Sequence, residues 1–337
     1  MPSEIELLPG SPTAFAADAS CVDADGSIYF QRVSETYVSS DNGATWIARS
    51  GGNPSENARG FLYADGNTIY RGNYGGYIYK TSDKGLSWTE LTSAGSRNWQ
   101  AIAGDGSALY FCAQGYIYKS TDGGNSVIVL TASGSKNRLA AICVGSTLYV
   151  GVFGANIEVS SDGGVTFTAI PGSGSRQWTY TPTHHNGALY FAEYGANGRI
   201  WKSSDGATWS AVGPNASGGW RESCSGGDGA AYFTDYGYRV WRTYDDGTTF
   251  EAVPPTANNA WYTITSHPNG DVYLAEYVGG GINEGIYVVR KSGFSGVRPA
   301  QSGVWRNASE VHVAKDGVWR KVNRIFVPVS GAWREVL

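Results

Sequence analysis

Three carboxyl side chains, Glu193, Asp235 and Glu276, each stand immediately before a tyrosine, in AEYG, TDYG and AEYV. They recur about one structural period apart, beside Tyr194, Tyr236 and Tyr277. Carboxyl pairs at a defined separation are what glycoside hydrolysis requires, so the three are the candidates for catalysis if the chain is an enzyme. A second set surrounds them. Arg59, Trp99, Arg138, Trp178, Trp220 and Trp261 end the segments ENAR, SRNW, SKNR, SRQW, SGGW and NNAW, with Arg97, Arg176 and Arg221 as charged neighbours. Rings that stack on the C–H faces of sugars, beside fixed donors and acceptors for their hydroxyls, suit a carbohydrate ligand. The alternative for the tryptophans is packing between repeated elements. For the carboxyls it is a solvated rim or ion pairs with those arginines. His184 and His185 read as a solvated turn and have no third partner at ligand spacing, so no metal is expected. No phosphate loop, nucleophile elbow or HExxH motif is present, and no cofactor is expected.

These residues are placed by a repeat. SSDNGATW, TSDKGLSW, STDGGNSV, SSDGGVTF, SSDGATW and TYDDGTTF carry Asp41, Asp83, Asp122, Asp162, Asp205 and Asp245, separated by 42, 39, 40, 43 and 40 residues. A second series, GSIYF to GDVYL, carries seven tyrosines from Tyr29 to Tyr273 at steps of 39 to 42. Each unit reads as four short strands. In the third these are WQAIAG (strand A), ALYFCAQ (B), YIYKS (C) and VIVLT (D), with the aspartate box between C and D. Four strands per period of about 40 residues is the sequence form of a β-propeller blade. The fold class is therefore all-β: a seven-bladed propeller over 1–295 and a small β-meander over 296–337.

The seventh unit supplies strands A to C and has neither box nor following strand. The chain start, EIELLPGS, resembles a strand D, so residues 4–8 are expected to pair beside 285–291 and close the ring. In each box a short Asp accepts hydrogen bonds within its own turn, Gly supplies a positive φ, and Trp or Phe turns inward. The six boxes resemble the Asp-box of sialidase-type (BNR) propellers, departing at Val127 and in the shortened fifth copy. The resemblance implies that the boxes are structural and lie opposite the ligand-binding face. Sialidases also carry an arginine in the first strand; AFAADAS here has none, which counts against that activity and leaves other glycosidases open.

From residue 296 the period changes to 14, with GVWR or GAWR at Trp305, Trp319 and Trp333. This segment is similar to short repeats of tail and receptor-binding proteins of tailed bacteriophages. The resemblance implies a virion tail protein, extracellular after host lysis, attached to other tail proteins through residues 296–337 and compatible with a homo-oligomer. The expected partner is a bacterial surface polysaccharide, bound or cleaved; a purely structural virion protein is the third reading. Gly 47, Tyr 22 and Trp 12 favour strands and tight turns over helix, and a net charge of −4 disfavours nucleic acid. The N-terminus shows no secretion signal and no stretch has the ~20 apolar residues of a spanning helix, so no membrane insertion is expected. Cys21, Cys112, Cys143 and Cys224 lack paired spacing and read as buried small residues.

Overall fold

The computed structural model describes residues 5–12, 15, 17–32, 35–49, 61–72, 74–179, 181–216, 219–236, 239–254, 261–276 and 285–290. Of the tail it describes the backbone of 311–315, 318–322, 326–329 and 332–335. The chain forms two compact units, Met1–Arg290 and Lys291–Leu337. The first is a seven-bladed β-propeller, each blade an antiparallel sheet ordered A-B-C-D from inside outward. Blade 3 is representative, with Arg97–Gly104, Leu109–Ala113, Ile117–Ser120 and Ile128–Leu130. Among the described residues, helix is confined to three short 3-10 turns at Thr92–Ala94, Thr131–Ser133 and Pro171–Ser173, each leading from one blade to the next.

The ring closes as the sequence implies. Ile5–Leu7 pairs antiparallel with Ile286–Val289 in the register Ile5↔Val289 to Leu7↔Tyr287, becoming strand D of blade 7. Arg290 clasps the seam, its Nη1 3.0 Å from Asp271 Oδ2 and its Nε 4.0 Å from Glu6 Oε2.

Among the described residues no single core is shared by all the blades. The buried apolar residues fall into seven clusters, each between two neighbouring blades. This follows from pairing sheets face to face, since each blade must cover both of its faces with its neighbours. The strand-B tyrosines face the following blade, where the hydroxyl of Tyr70 donates to Gly123 O at 3.3 Å and that of Tyr273 to Asn42 O at 2.9 Å. All four cysteines are free; Cys21, Cys112 and Cys224 are buried, and burial pushes their thiols up.

The aspartate boxes are the C-to-D turns. In the fourth, Asp162 Oδ1 accepts from Ser160 Oγ at 2.9 Å and Thr166 N at 3.0 Å, and Oδ2 accepts from Thr166 Oγ1 at 2.6 Å. Gly164 has φ +92°, and a Cβ there would meet Leu130 Cδ1 of the preceding blade at 2.3 Å. The shortened fifth turn keeps the pattern one residue earlier, with Asp205 accepting from Ala207 N and Thr208 N. Val127 packs where the other turns place an aromatic.

One expectation is corrected. His184 and His185 lie in a strand, Thr183–His185, rather than a solvated turn. His185 is buried between blades, within 2.8 Å of Ser225 Oγ and 3.2 Å of Gly229 O. In the tail the described strands pair as hairpins, Val311–Lys315 with Val318–Val322 and Phe326–Val329 with Ala332–Glu335.

Candidate functional site

The face opposite the aspartate turns is built from the segments entering strand A and from the B-to-C turns. These two sets are hydrogen-bonded to each other around the ring. Within a blade, the N–H groups of Gln114, Phe153, Tyr194 and Tyr236 donate to the carbonyls of Asn98, Asn137, Gln177 and Gly219 at 2.9, 2.8, 2.7 and 3.0 Å. Between blades, Gly115 N donates to Lys136 O at 3.0 Å and Gly154 N to Arg176 O at 2.8 Å. Tyr74–Gly76 of blade 2 likewise pairs with the start of strand A of blade 3. The B-to-C turns of blades 3, 4 and 5 are thus fixed on two sides. Gly195, at φ +109°, allows the chain to turn directly after Tyr194.

The tryptophan ring does not face a ligand. Trp99, Trp178 and Trp220 are completely buried and Trp261 is 3 % exposed, so the ligand-binding assignment of these four is corrected. They lie in the clusters between blades, and within their own blades Trp178 meets Phe191 edge to face at 5.9 Å and Trp261 meets Tyr287 at 5.0 Å. The indole N–H of Trp178 donates to Ala155 O of blade 4 at 2.9 Å, and that of Trp220 to Gly198 O of blade 5 at 3.0 Å. Arg138, also fully buried, does the same with its guanidinium, donating to Gly115 O of blade 3 at 2.9 Å and pairing with Glu158 at 3.1 Å. Arg138 is therefore a structural link as well. Arg59 and Tyr277 lie outside the described residues.

The other arginines lie against rings. Arg97 sits over Tyr118 at 4.5 Å and donates to Ala94 O. Arg176 stacks on Trp201 at 3.6 Å and faces Glu193 at 3.6 Å. Arg221 is buried between the rings of Tyr262, at 3.3 Å, and Tyr236, whose hydroxyl it also contacts.

Of the carboxyls, Glu193 is partly buried and accepts from Trp201 Nε1 at 3.3 Å. Asp235 is buried and accepts from Arg239 N and Trp241 Nε1, both at 2.9 Å, while Glu276 is completely buried at the end of strand B of blade 7. Asp235 and Glu276 therefore do not open onto a substrate site as a catalytic pair would have to. This corrects their placement as rim carboxyls.

What the face does expose is a row of rings from the B-to-C turns. Tyr74, Phe153, Tyr194 and Tyr236 on blades 2, 4, 5 and 6 are 37–44 % exposed, and Tyr194 and Tyr236 meet edge to face at 5.5 Å. On blade 3 Gln114 occupies this position, with Tyr116, 38 % exposed, two residues on.

The axis holds a cavity of about 280 Å³, lined by the inner segments of all seven blades. Its polar wall contains Ser20, Gln100, Thr181 and Glu222. Burial pushes the Glu222 carboxyl up to about 7, against hydrogen bonds from Thr263, Ile264 N at 3.2 Å and Thr181. Sequence reasoning passed over Glu222, although its place in strand A, two residues after Trp220, was the available signal.

No protein-family model and no curated protein matches the chain. Solved structures do. YCF48 from Cyanidioschyzon merolae superposes with TM-score 0.65 at 12 % identity, covering 84 % of this chain and 97 % of its own. The extracellular domain of a hybrid two-component system from B. thetaiotaomicron gives 0.63 at 12 %, covering 91 % and 40 %. A GH74 xyloglucanase from Xanthomonas campestris gives 0.61 at 13 %, covering 85 % and 53 %. At these identities the likeness is one of fold, and the chain is a seven-bladed β-propeller.

Proposed function

We propose that the chain is a receptor-binding protein of a bacteriophage tail whose propeller recognises a bacterial surface glycan. The observation that carries the glycan reading is the row of exposed aromatic rings held at equivalent backbone positions on one face, with amide side chains beside them. Immobilised rings of this kind stack on sugars at little entropic cost. That a xyloglucanase is among the structural neighbours is consistent with a polysaccharide ligand. The tail attribution rests on the GVWR and GAWR repeat, whose Trp319 and Trp333 fall in the strands Val318–Val322 and Ala332–Glu335. The six aspartate turns are read as Asp-boxes, structural and on the far face. A hydrolase reading would need carboxyls other than the buried Asp235 and Glu276.

The test is to incubate the purified protein with surface polysaccharides from a panel of bacteria, following retained protein and released reducing ends in the same tubes. Retention without release is the expected result. Release of reducing ends would make the protein a glycosidase, and absence of retention across the panel would leave the structural virion role.

A further inference from the structure

The face presents the same small set of groups again and again along an arc, where a site for a terminal sugar would gather different groups around one pocket. The residue that carries the exposed ring is held by the same backbone hydrogen bond on blades 4, 5 and 6, and Gln114 takes that bond on blade 3. Blade 2 extends the series, since Tyr74 lies opposite Asn98 in the ladder that joins the two blades. The carbonyl that accepts this bond belongs, on blades 3, 4 and 5, to an amide residue: Asn98, Asn137 and Gln177. An exposed ring therefore recurs on each of blades 2 to 6, as Tyr74, Tyr116, Phe153, Tyr194 and Tyr236, and on blades 4 and 5 the backbone sets an amide residue opposite it.

The charged side chains of the face are engaged within it. Lys136 and Arg138 both pair with Glu158 and Arg176 faces Glu193, while Arg97, Arg221 and Arg239 lie over aromatic rings. A polyanion would call for a clustered excess of cations. The cavity of the propeller lies on the axis and is lined by inner strands, away from the B-to-C turns.

We infer that the ligand is a linear, uncharged polysaccharide bound internally along its length across blades 2 to 6, with one subsite per blade centred on its exposed ring. This rests on the glycan reading above and narrows it. Sheets packed face to face are about 10 Å apart, so one blade step matches roughly two pyranose units and the arc spans on the order of ten. Each subsite is weak alone, and affinity accumulates because linked subsites bind as one ligand.

The experiment takes the polysaccharide that the full-length protein retains, cleaves it by partial acid hydrolysis and size-fractionates the fragments. Affinity is then measured for each fragment by calorimetry. The expected result is a rise in affinity over several length steps, reaching a plateau near ten sugars. Phe153→Ala and Tyr194→Ala should each weaken long fragments about 5- to 10-fold, with unchanged melting curves because both rings are exposed. Raising salt from ~50 to ~500 mM should change affinity less than about twofold.

A di- or trisaccharide that binds as tightly as the polymer, with only one of the two substitutions mattering, would overturn the extended mode while leaving glycan recognition intact. A steep loss with salt would overturn the uncharged ligand class. Failure of every polysaccharide in the panel to be retained would remove the glycan reading, and this inference with it.

Discussion

Trp178 and Arg138 occupy the same position in adjacent blades and perform the same task with different chemistry. Each extends an N–H to a carbonyl in the B-to-C turn of the preceding blade, Ala155 O and Gly115 O respectively. At Trp178, Trp220 and Arg138 the position holds a long, planar, buried donor, whereas Trp99 and Trp261 fill it by packing alone. Trp178→Phe keeps most of the packing and removes the donor, leaving Ala155 O with the Arg176 N–H alone at 3.2 Å; it should cost about 0.5–1.5 kcal/mol, seen as a lowered urea midpoint. That these residues are equivalent was legible from their spacing, but the direction they face was not. Directly after the shared position, strand A shifts register in blades 3, 4, 6 and 7, between Trp99 and Ala101, Arg138 and Ala140, Trp220 and Ser223, and Trp261 and Thr263. A bulge of this kind re-aims side chains, and periodicity does not announce it. Glu222 makes a second test at this scale. Its carboxyl titrates near 7 in the folded protein against an ordinary 4.5, so the fold holds the proton more tightly than the unfolded chain does. The resulting stabilisation is complete below about pH 4.5 and is lost as pH rises through 7, on the order of 2 kcal/mol. Melting curves from pH 5 to 8 should show this decline, and Glu222→Gln should flatten it.

The aspartate turn is the element whose shape is most nearly local, which is why six copies could be read without a structure. Donors, acceptor and glycine all lie within a few consecutive residues, so no distant contact has to be guessed. Asp41 accepts from Ser39 Oγ at 2.7 Å, Thr45 N at 2.9 Å and Thr45 Oγ1 at 2.6 Å. Asp41→Ala should therefore destabilise by about 1 kcal/mol, comparable to loss of a capping side chain, and leave glycan affinity unchanged. Selective loss of binding with an intact melting curve would refute the structural role of these turns. Acid should act on the set as a whole. Hydroxyl and backbone donors hold Asp83, Asp122 and Asp162 down at about 2, below the ordinary 3.8. Their contribution is present above 3.8 and lost as pH falls toward 2, so acid unfolding should steepen in that window. The B-to-C turns were only partly legible. Their aromatic-glycine pattern was visible, but the hydrogen bonds that join each turn to the next blade connect residues some 20 apart and emerge only from the ring.

With seven separate interfaces and no central core, the propeller is as strong as the seam that joins its first and last segments. Leu8 is buried beneath the turn glycine Gly43 and beside Tyr273, in the cluster between blades 7 and 1. Leu8→Ala should cost about 2–4 kcal/mol and, by loosening the closing strand, should expose the chain start to proteolysis before the other blades are cut. A single cooperative loss of all blades at once would show instead that the seam does not open first. Blade number and closure were legible because the sequence has seven strand-B tyrosines and six boxes. The seam also matters mechanically. Residue 290, where the propeller hands over to the tail, ends a strand flanked on one side by Val272–Glu276 and on the other by Ile5–Leu7, with Arg290 reaching to Asp271 and Glu6. Tension applied through the tail is therefore carried by a strand paired on both sides, and tearing it out means breaking two ladders together, so the joint that closes the ring also serves as the anchor against pulling.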